Sequence, residues 1–166
     1  MTDRQQLPIE EYVVDILKRN HLQIATAESC TGGLVAATLI NAAGVSSVLE
    51  ESYVTYSDGT KMKILGVSED TLARYTAVSE ETARQMVSGV CRVAGTDVGI
   101  SVTGIAGPDG GSEEFPVGLV YIGWNITGHI TVRRYEFPGD RQQVRIAAVE
   151  QALSVLPQLM EEEGYR

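Results

Sequence analysis

The sequence predicts an α/β protein, a three-layer α/β/α sandwich built on a mixed β-sheet, and three observations carry that prediction. Strand-like and helix-like segments alternate early, two strand-like segments adjoin late as a hairpin, and a long helical segment closes the chain. The 166 residues suit one domain, able to bury roughly two thirds of its unfolded surface in a single core. No internal repeat or linker divides them, so residues 1–166 read as one unit with its core over about 7–156.

Each element has its own signal. "PIEEYVVDILKRN" places Pro8 at a first turn, acids after it, and Val13, Ile16 and Leu17 at helical spacing, which predicts an opening helix. "LQIATAE" predicts a short buried strand, and "CTGGLVAATLINAAG" a helix stopped by Gly44. "SVLEESYVTYS" has a strand composition, and "DGTKMKILGV" is expected to break it with a turn. "SEDTLARYT" and "SEETARQMVSGVCRVAG" each begin with Ser followed by acids, the mark of a capped helix start. "DVGISVTG" is a β-branched run, "PVGLVYIGWNI" and "HITVRRYEFP" form a hairpin around Thr127 and Gly128, and "DRQQVRIAAVEQALSVLPQLM" is the closing helix.

Composition narrows the function. Lys and Arg total 13 against 22 Asp and Glu, a formal charge of −9, which argues against wrapping a phosphate backbone, so no nucleic-acid partner is expected. Cys30 and Cys91 are the two cysteines, and a core of this size does not depend on a disulfide, so a reduced, cytoplasmic protein is the reading. "MTDRQQLPIEEYV" has early acids and no apolar run, so neither a secretory signal nor a membrane span is expected.

On such a sheet ligands sit beyond the carboxyl ends of strands, where the amides of the next segment point outward. Two segments occupy that position: "AESCTGG", which sets Glu28, Ser29, Cys30 and Thr31 side by side before Gly32 and Gly33, and the glycine-dense "VTGIAGPDGGSEEFPVG". Neither matches a nucleoside triphosphate or dinucleotide motif.

"AESCTGG", "TYSDGTKMKILGV", "YTAVSEETARQM", "VTGIAGPDGGSEEFPVGLVYIG" and "FPGDRQQVRIAAVEQAL", in this order, resemble the blocks of the CinA C-terminal domain family from about Leu7 to Leu156. Stand-alone members of that family include nicotinamide-nucleotide amidases. The resemblance implies hydrolysis of the carboxamide of nicotinamide mononucleotide to nicotinate mononucleotide and ammonia, with no cofactor. Longer members carry a separate N-terminal domain; the expectation is that this chain lacks it and, with it, its activity.

Amide hydrolysis needs a nucleophile, a base, oxyanion donors and an acid for the departing ammonia. Ser29, where a strand hands over to a helix, is the expected nucleophile; read from position alone it is a helix cap. Cys30 is its rival. His21 and His129 lie in connecting or strand-like sequence away from the glycine segments, so a histidine triad is not expected. A lysine made neutral by burial can replace histidine. Lys61 matches the family block and Lys63 is the rival, each otherwise a solvated loop residue. The family commonly reads Asn-Glu-Ala before that lysine; this chain reads Asp58-Gly59-Thr60.

Tyr56 is expected to bridge Ser29 and Lys61 through its hydroxyl or to orient the substrate ring, and Thr103 to hold a catalytic group or the carboxamide. Packing alone is the plainer reading of both. Glu28, Thr31, Gly32, Gly33, Gly104 and Gly107 are expected to bind substrate, the glycines by letting the backbone approach it. Arg141 and Arg145, one helical turn apart, are the expected phosphate ligands, their alternative being a solvated helix face. No metal is expected: the cysteines and histidines lie in different segments, and the nearest set is Glu28 with Asp109, Glu113 and Glu114. A homodimer is compatible with the sequence. Two other readings stand beside the amidase: an inactive nucleotide-binding or regulatory module, and an interaction protein associated with DNA uptake or repair.

Overall fold

The computed structural model describes residues 7–166. The reading that the chain starts without a leader falls partly on residues 1–6, outside the described residues. Helix α1 (Ile9–Arg19) starts directly after Pro8 and buries Val13, Val14, Ile16 and Leu17. Strand β1 (Ile24–Glu28) is buried along its whole length. The next helix is shorter than its apolar composition suggests. Residues 29–33 are spent on a turn in which Gly32 and Gly33 take φ of 60° and 97°, and only Leu34–Ile40 forms α2. A 3₁₀ turn (Val45–Ser47) then leads into β2 (Leu49–Val54).

The expectation that "DGTKMKILGV" is a turn is overturned: Asp58–Leu65 is helix α3. Its start is a reciprocal cap in which the Thr60 amide donates to Ser57 Oγ at 3.2 Å and the Ser57 amide to Thr60 Oγ1 at 3.2 Å. Gly66, at φ 70°, ends it. Helices α4 (Glu69–Tyr75) and α5 (Glu80–Ala94) follow, capped by Ser68 and Ser79 as their sequences indicate. Then come β3 (Val98–Gly104), β4 (Leu119–Ile126), β5 (His129–Glu136) and α6 (Arg141–Glu162).

The sheet is mixed, in the order β2-β1-β3-β4-β5. β1 runs parallel to β2 and β3, while β4 pairs antiparallel with β3 and β5. On one face α1, α2 and α6 cover a core that includes Ile24, Ile100, Val102, Ile122 and Trp124, whose indole N–H donates to the Ala152 carbonyl at 2.8 Å. On the other face α5 and α3 cover Ala25, Ala27, Leu65, Met86 and Val90. α5 comes close because residue 89 is glycine: a Cβ there would meet the Leu65 carbonyl oxygen at 2.0 Å. This settles α3 against α5, and with it Lys61, which points inward and is buried.

Strand order positions the site. From β1 the chain crosses through α2 on one face to reach β2 and returns through α3–α5 on the other face to reach β3. The crossovers on opposite faces leave a crevice at the carboxyl ends of β1 and β3, the switch point at which open α/β sheets bind ligands. Among the described residues no helix is long and apolar enough to cross a membrane.

Candidate active site

The crevice holds a cavity of about 260 Å³ whose wall includes Ser29, Cys30, Tyr56, Lys61, Thr103, Gly104, Gly107 and Arg141. Five chain segments far apart in sequence build it: the turn after β1, the β2–α3 junction with the start of α3, the α4–α5 junction, the β3–β4 loop and the start of α6.

Ser29 follows β1 directly and extends its ladder, its amide donating to the Val102 carbonyl at 2.9 Å. Its hydroxyl does not cap α2, whose N-cap position is Gly33. It faces Lys61, with 3.1 Å between Nζ and Oγ. The same Nζ donates to the carbonyls of Thr55 at 2.8 Å and Tyr56 at 3.2 Å. Two N–H groups directed at two carbonyls leave the third tetrahedral direction of the nitrogen on Ser29. In the ammonium form that direction carries a proton; in the neutral amine it carries the lone pair. Lys61 is 1% exposed, and burial pushes its pKa below the ordinary lysine range, opposed by Asp58 and Cys30. The Asp58-Gly59-Thr60 departure forms the first turn of α3 and leaves Lys61 against Ser29.

Cys30 also lines the cavity, but burial pushes its thiol up to about 11, offset in part by its own amide, which keeps it protonated and a poor nucleophile at neutral pH. His21 and His129 are absent from the cavity wall, and His129 pairs with Glu163.

Several expected substrate ligands have other work. Glu28 accepts the Val35 amide at 2.8 Å and the Ala36 amide at 3.1 Å, so it caps α2 from inside the core. This corrects its assignment as a ligand, and it means that the positive end of α2 is already matched by a carboxylate. Glu28→Gln replaces a charged acceptor by an amide whose NH₂ must face a backbone N–H. The expected cost is about 2 kcal/mol, visible as a lower urea midpoint with an unchanged slope; an unmoved midpoint would show that the carboxylate contributes nothing there. Arg145 is likewise engaged, donating to the carbonyls of Cys30 at 3.0 Å and Thr31 at 2.9 Å. Thr31, Gly32 and Gly33 form the turn behind Ser29 and are absent from the cavity wall; Thr31 is fully buried and its hydroxyl has no partner among the described residues.

Tyr56 meets Lys61 through its backbone carbonyl. Its side chain is exposed, and its hydroxyl accepts from Arg141 at 3.3 Å, so the bridge from that hydroxyl to Ser29 and Lys61 is not formed. Arg141 also donates to the Gly107 carbonyl at 2.7 Å, joining the glycine loop to Tyr56 across the mouth. Thr103 lines the cavity but spends its hydroxyl on the Ala77 carbonyl at 2.7 Å. Gly104 is needed for close approach: a Cβ would lie 2.6 Å from the Leu119 carbonyl oxygen.

Sequence reasoning missed the wall formed by Ala77 and Val78. They follow Thr76, a β-branched residue at φ 68° whose carbonyl accepts from the hydroxyls of Ser79 and Thr82. The available signal is the block "YTAVSEETARQM", which carries the family resemblance and a helix cap but no sign that Ala77 and Val78 face the cavity. Among the described residues no group of three or more His, Cys, Asp or Glu is placed to hold a metal ion.

Fold and site define an α/β protein that buries a lysine against a serine at the switch point of its sheet. Comparison with known proteins gives the family. The CinA C-terminal domain matches residues 6–160, and the chain belongs to that family. A CinA-like protein of Kosmotoga olearia is 52% identical over 145 residues, 87% of this chain and 35% of that protein. The chain thus spans little more than a third of the curated relatives it matches. Among solved structures, a CinA superfamily protein from Escherichia coli superposes with a TM-score of 0.88 at 40% identity, covering 91% of this chain and 88% of the other. One from Klebsiella pneumoniae gives 0.90 at 36% identity, covering 93% and 96%.

Proposed function

We propose that the chain is an amidohydrolase that converts nicotinamide mononucleotide to nicotinate mononucleotide and ammonia, with Ser29 as nucleophile and Lys61 as base. The observation that carries this reading is the three-way environment of Lys61 Nζ, two carbonyls and one serine hydroxyl, in a buried setting. The neutral amine accepts the Ser29 proton as Oγ attacks the carboxamide carbon. The ammonium so formed gives that proton to the nitrogen, the C–N bond breaks, and ammonia leaves an acyl-Ser29. Water then attacks the acyl carbon with Lys61 again as base, releasing the carboxylate and restoring the serine.

The oxyanion takes amide donors. The Ser29 amide is committed to Val102 and those of Val35 and Ala36 to Glu28, so none of these three is free to serve. Among the described residues the amides of Cys30, Ala106 and Gly107 have no backbone acceptor, and all three residues line the cavity. Arg141 and Tyr56 at the mouth hold the nucleotide, Arg141 by charge on the phosphate and Tyr56 by its exposed ring beside the nicotinamide. The substrate class rests on the family resemblance; the pair of reacting groups rests on geometry.

Ammonia release from nicotinamide mononucleotide by the purified chain tests the proposal, and its absence would overturn it. The same assay after exhaustive chelation and dialysis is expected to give the full rate. Loss of rate restored by magnesium would defeat the Ser29–Lys61 route, which draws its nucleophile and base from side chains alone.

A further inference from the structure

Arg145 stands in the second turn of α6, one turn beyond Arg141, yet its guanidinium turns away from the cavity mouth toward the backbone behind Ser29. Nε donates to the Cys30 carbonyl and one terminal nitrogen to the Thr31 carbonyl. In a planar trans peptide the C=O and the N–H point in opposite directions. Holding the Thr31 carbonyl on α6 therefore directs the Gly32 amide the other way, and that amide donates to the Ser29 carbonyl at 3.1 Å. The Ser29 carbonyl belongs to the Ser29–Cys30 peptide. With its oxygen fixed toward Gly32, the Cys30 N–H is turned to the opposite side, away from the turn's interior. Gly32 reaches the φ of 60° this arrangement needs.

We infer that Arg145 is a positioning residue of the oxyanion site: through two relayed peptide planes it aims the Cys30 amide at the oxygen that becomes negative when Ser29 attacks. The inference rests on Ser29 being the nucleophile and replaces the expectation that Arg145 binds phosphate. Arginine suits the task because a planar fork with fixed donors can hold two successive carbonyls, whereas lysine offers one point charge. The positive charge behind the turn also favours an oxyanion in front of it.

The test is the rate at which Ser29 of the full chain is phosphonylated by a fluorophosphonate. The Ser29 oxygen bonds to phosphorus, the P–F bond breaks, fluoride leaves and the serine proton passes to Lys61. The phosphoryl oxygen gains charge where the acyl oxygen would. Relative to the wild-type chain, Arg145→Lys is expected to react about 10-fold more slowly and Arg145→Ala about 100-fold more slowly. Millimolar guanidinium should restore part of the rate to Arg145→Ala and leave the wild-type rate alone. The pH midpoint of labelling should not move in Arg145→Lys, which keeps the positive charge behind the turn and leaves Lys61 untouched.

Full reactivity in either folded variant would overturn the inference, as would a lost rate in Arg145→Ala that guanidinium cannot restore or a shifted pH midpoint in Arg145→Lys. A wild-type chain that is never labelled would overturn it too, since no oxyanion forms at Ser29. If Arg145→Ala does not fold, Arg145→Lys alone decides. Labelled wild-type chain that releases no ammonia from nicotinamide mononucleotide defeats the substrate assignment and leaves this inference standing.

Discussion

Ser29→Ala is expected to lower ammonia release by about 10⁴-fold or more, because the attacking oxygen is removed and only binding and the oxyanion donors remain. The fold should survive the change. Ser29 is held in place by its amide on Val102 and its carbonyl on Gly32, and neither bond uses the side chain. The hydroxyl caps no helix, so the loss is confined to one hydrogen bond with Lys61, about 1 kcal/mol. Steady-state kinetics beside a thermal melt separate these effects. A variant with native stability and more than about a tenth of the wild-type rate would remove Ser29 from the mechanism, a single missing donor or cap being enough to explain so small a loss. Cys30→Ser should retain activity, since burial keeps the thiol protonated and the substitution leaves the backbone amide in place.

The parts of this molecule that the sequence made legible are those set by periodicity and by local caps. β1, β3 and the β4–β5 hairpin announce themselves by β-branched runs and the Thr127-Gly128 turn, and α5 by apolar residues spaced along one face behind Ser79. α3 was illegible for a physical reason. Gly59 and Thr60 are poor helix formers, and the cap that starts the helix uses a threonine hydroxyl in the place where Glu or Gln usually reaches back. The segment is helical because its cap, its Gly66 stop and its packing against α5 agree, and the packing depends on Gly89 some twenty residues on.

The same limit applies to the site. That Ser29 and Lys61 belong together could be stated only by resemblance, since their meeting is a product of strand order and of α3 being a helix. Glu28 and Arg145 carry charges beside the reacting groups, and sequence proximity made both look like ligands. What sequence cannot display is direction: Glu28 faces the amides of α2, and Arg145 the carbonyls of Cys30 and Thr31. The two side chains hold the backbone beside Ser29 by its amides and by its carbonyls, so a pair of charges fixes the turn between β1 and α2.

Lys61→Met is expected to lower the rate by about 10³- to 10⁴-fold, the range for loss of a positioned base that also serves as the acid. Lys61→Arg should be as poor, because a guanidinium does not become neutral in a protein and cannot accept the Ser29 proton. The pH profile follows from the direction of the lysine's shift. Burial favours the neutral amine, so the wild-type rate should rise with pH through a midpoint below the ordinary lysine value of 10.5, and this limb should be missing from the residual activity of Lys61→Met. Stability must move in the same sense. Between the lowered folded pKa and 10.5 the unfolded chain binds more protons at Lys61 than the native chain does, so unfolding free energy rises with pH across that window and falls again as pH drops through the folded pKa. The stability of wild type relative to Lys61→Met should therefore grow as pH is raised toward 10.5, read from urea midpoints at a series of pH values. A rate independent of pH, or an arginine variant that turns over at a comparable rate, would mean that Lys61 supplies positive charge and takes no proton. The mechanism would then need another base, and the described cavity wall offers only Asp109, Tyr56 and the Cys30 thiol to choose from.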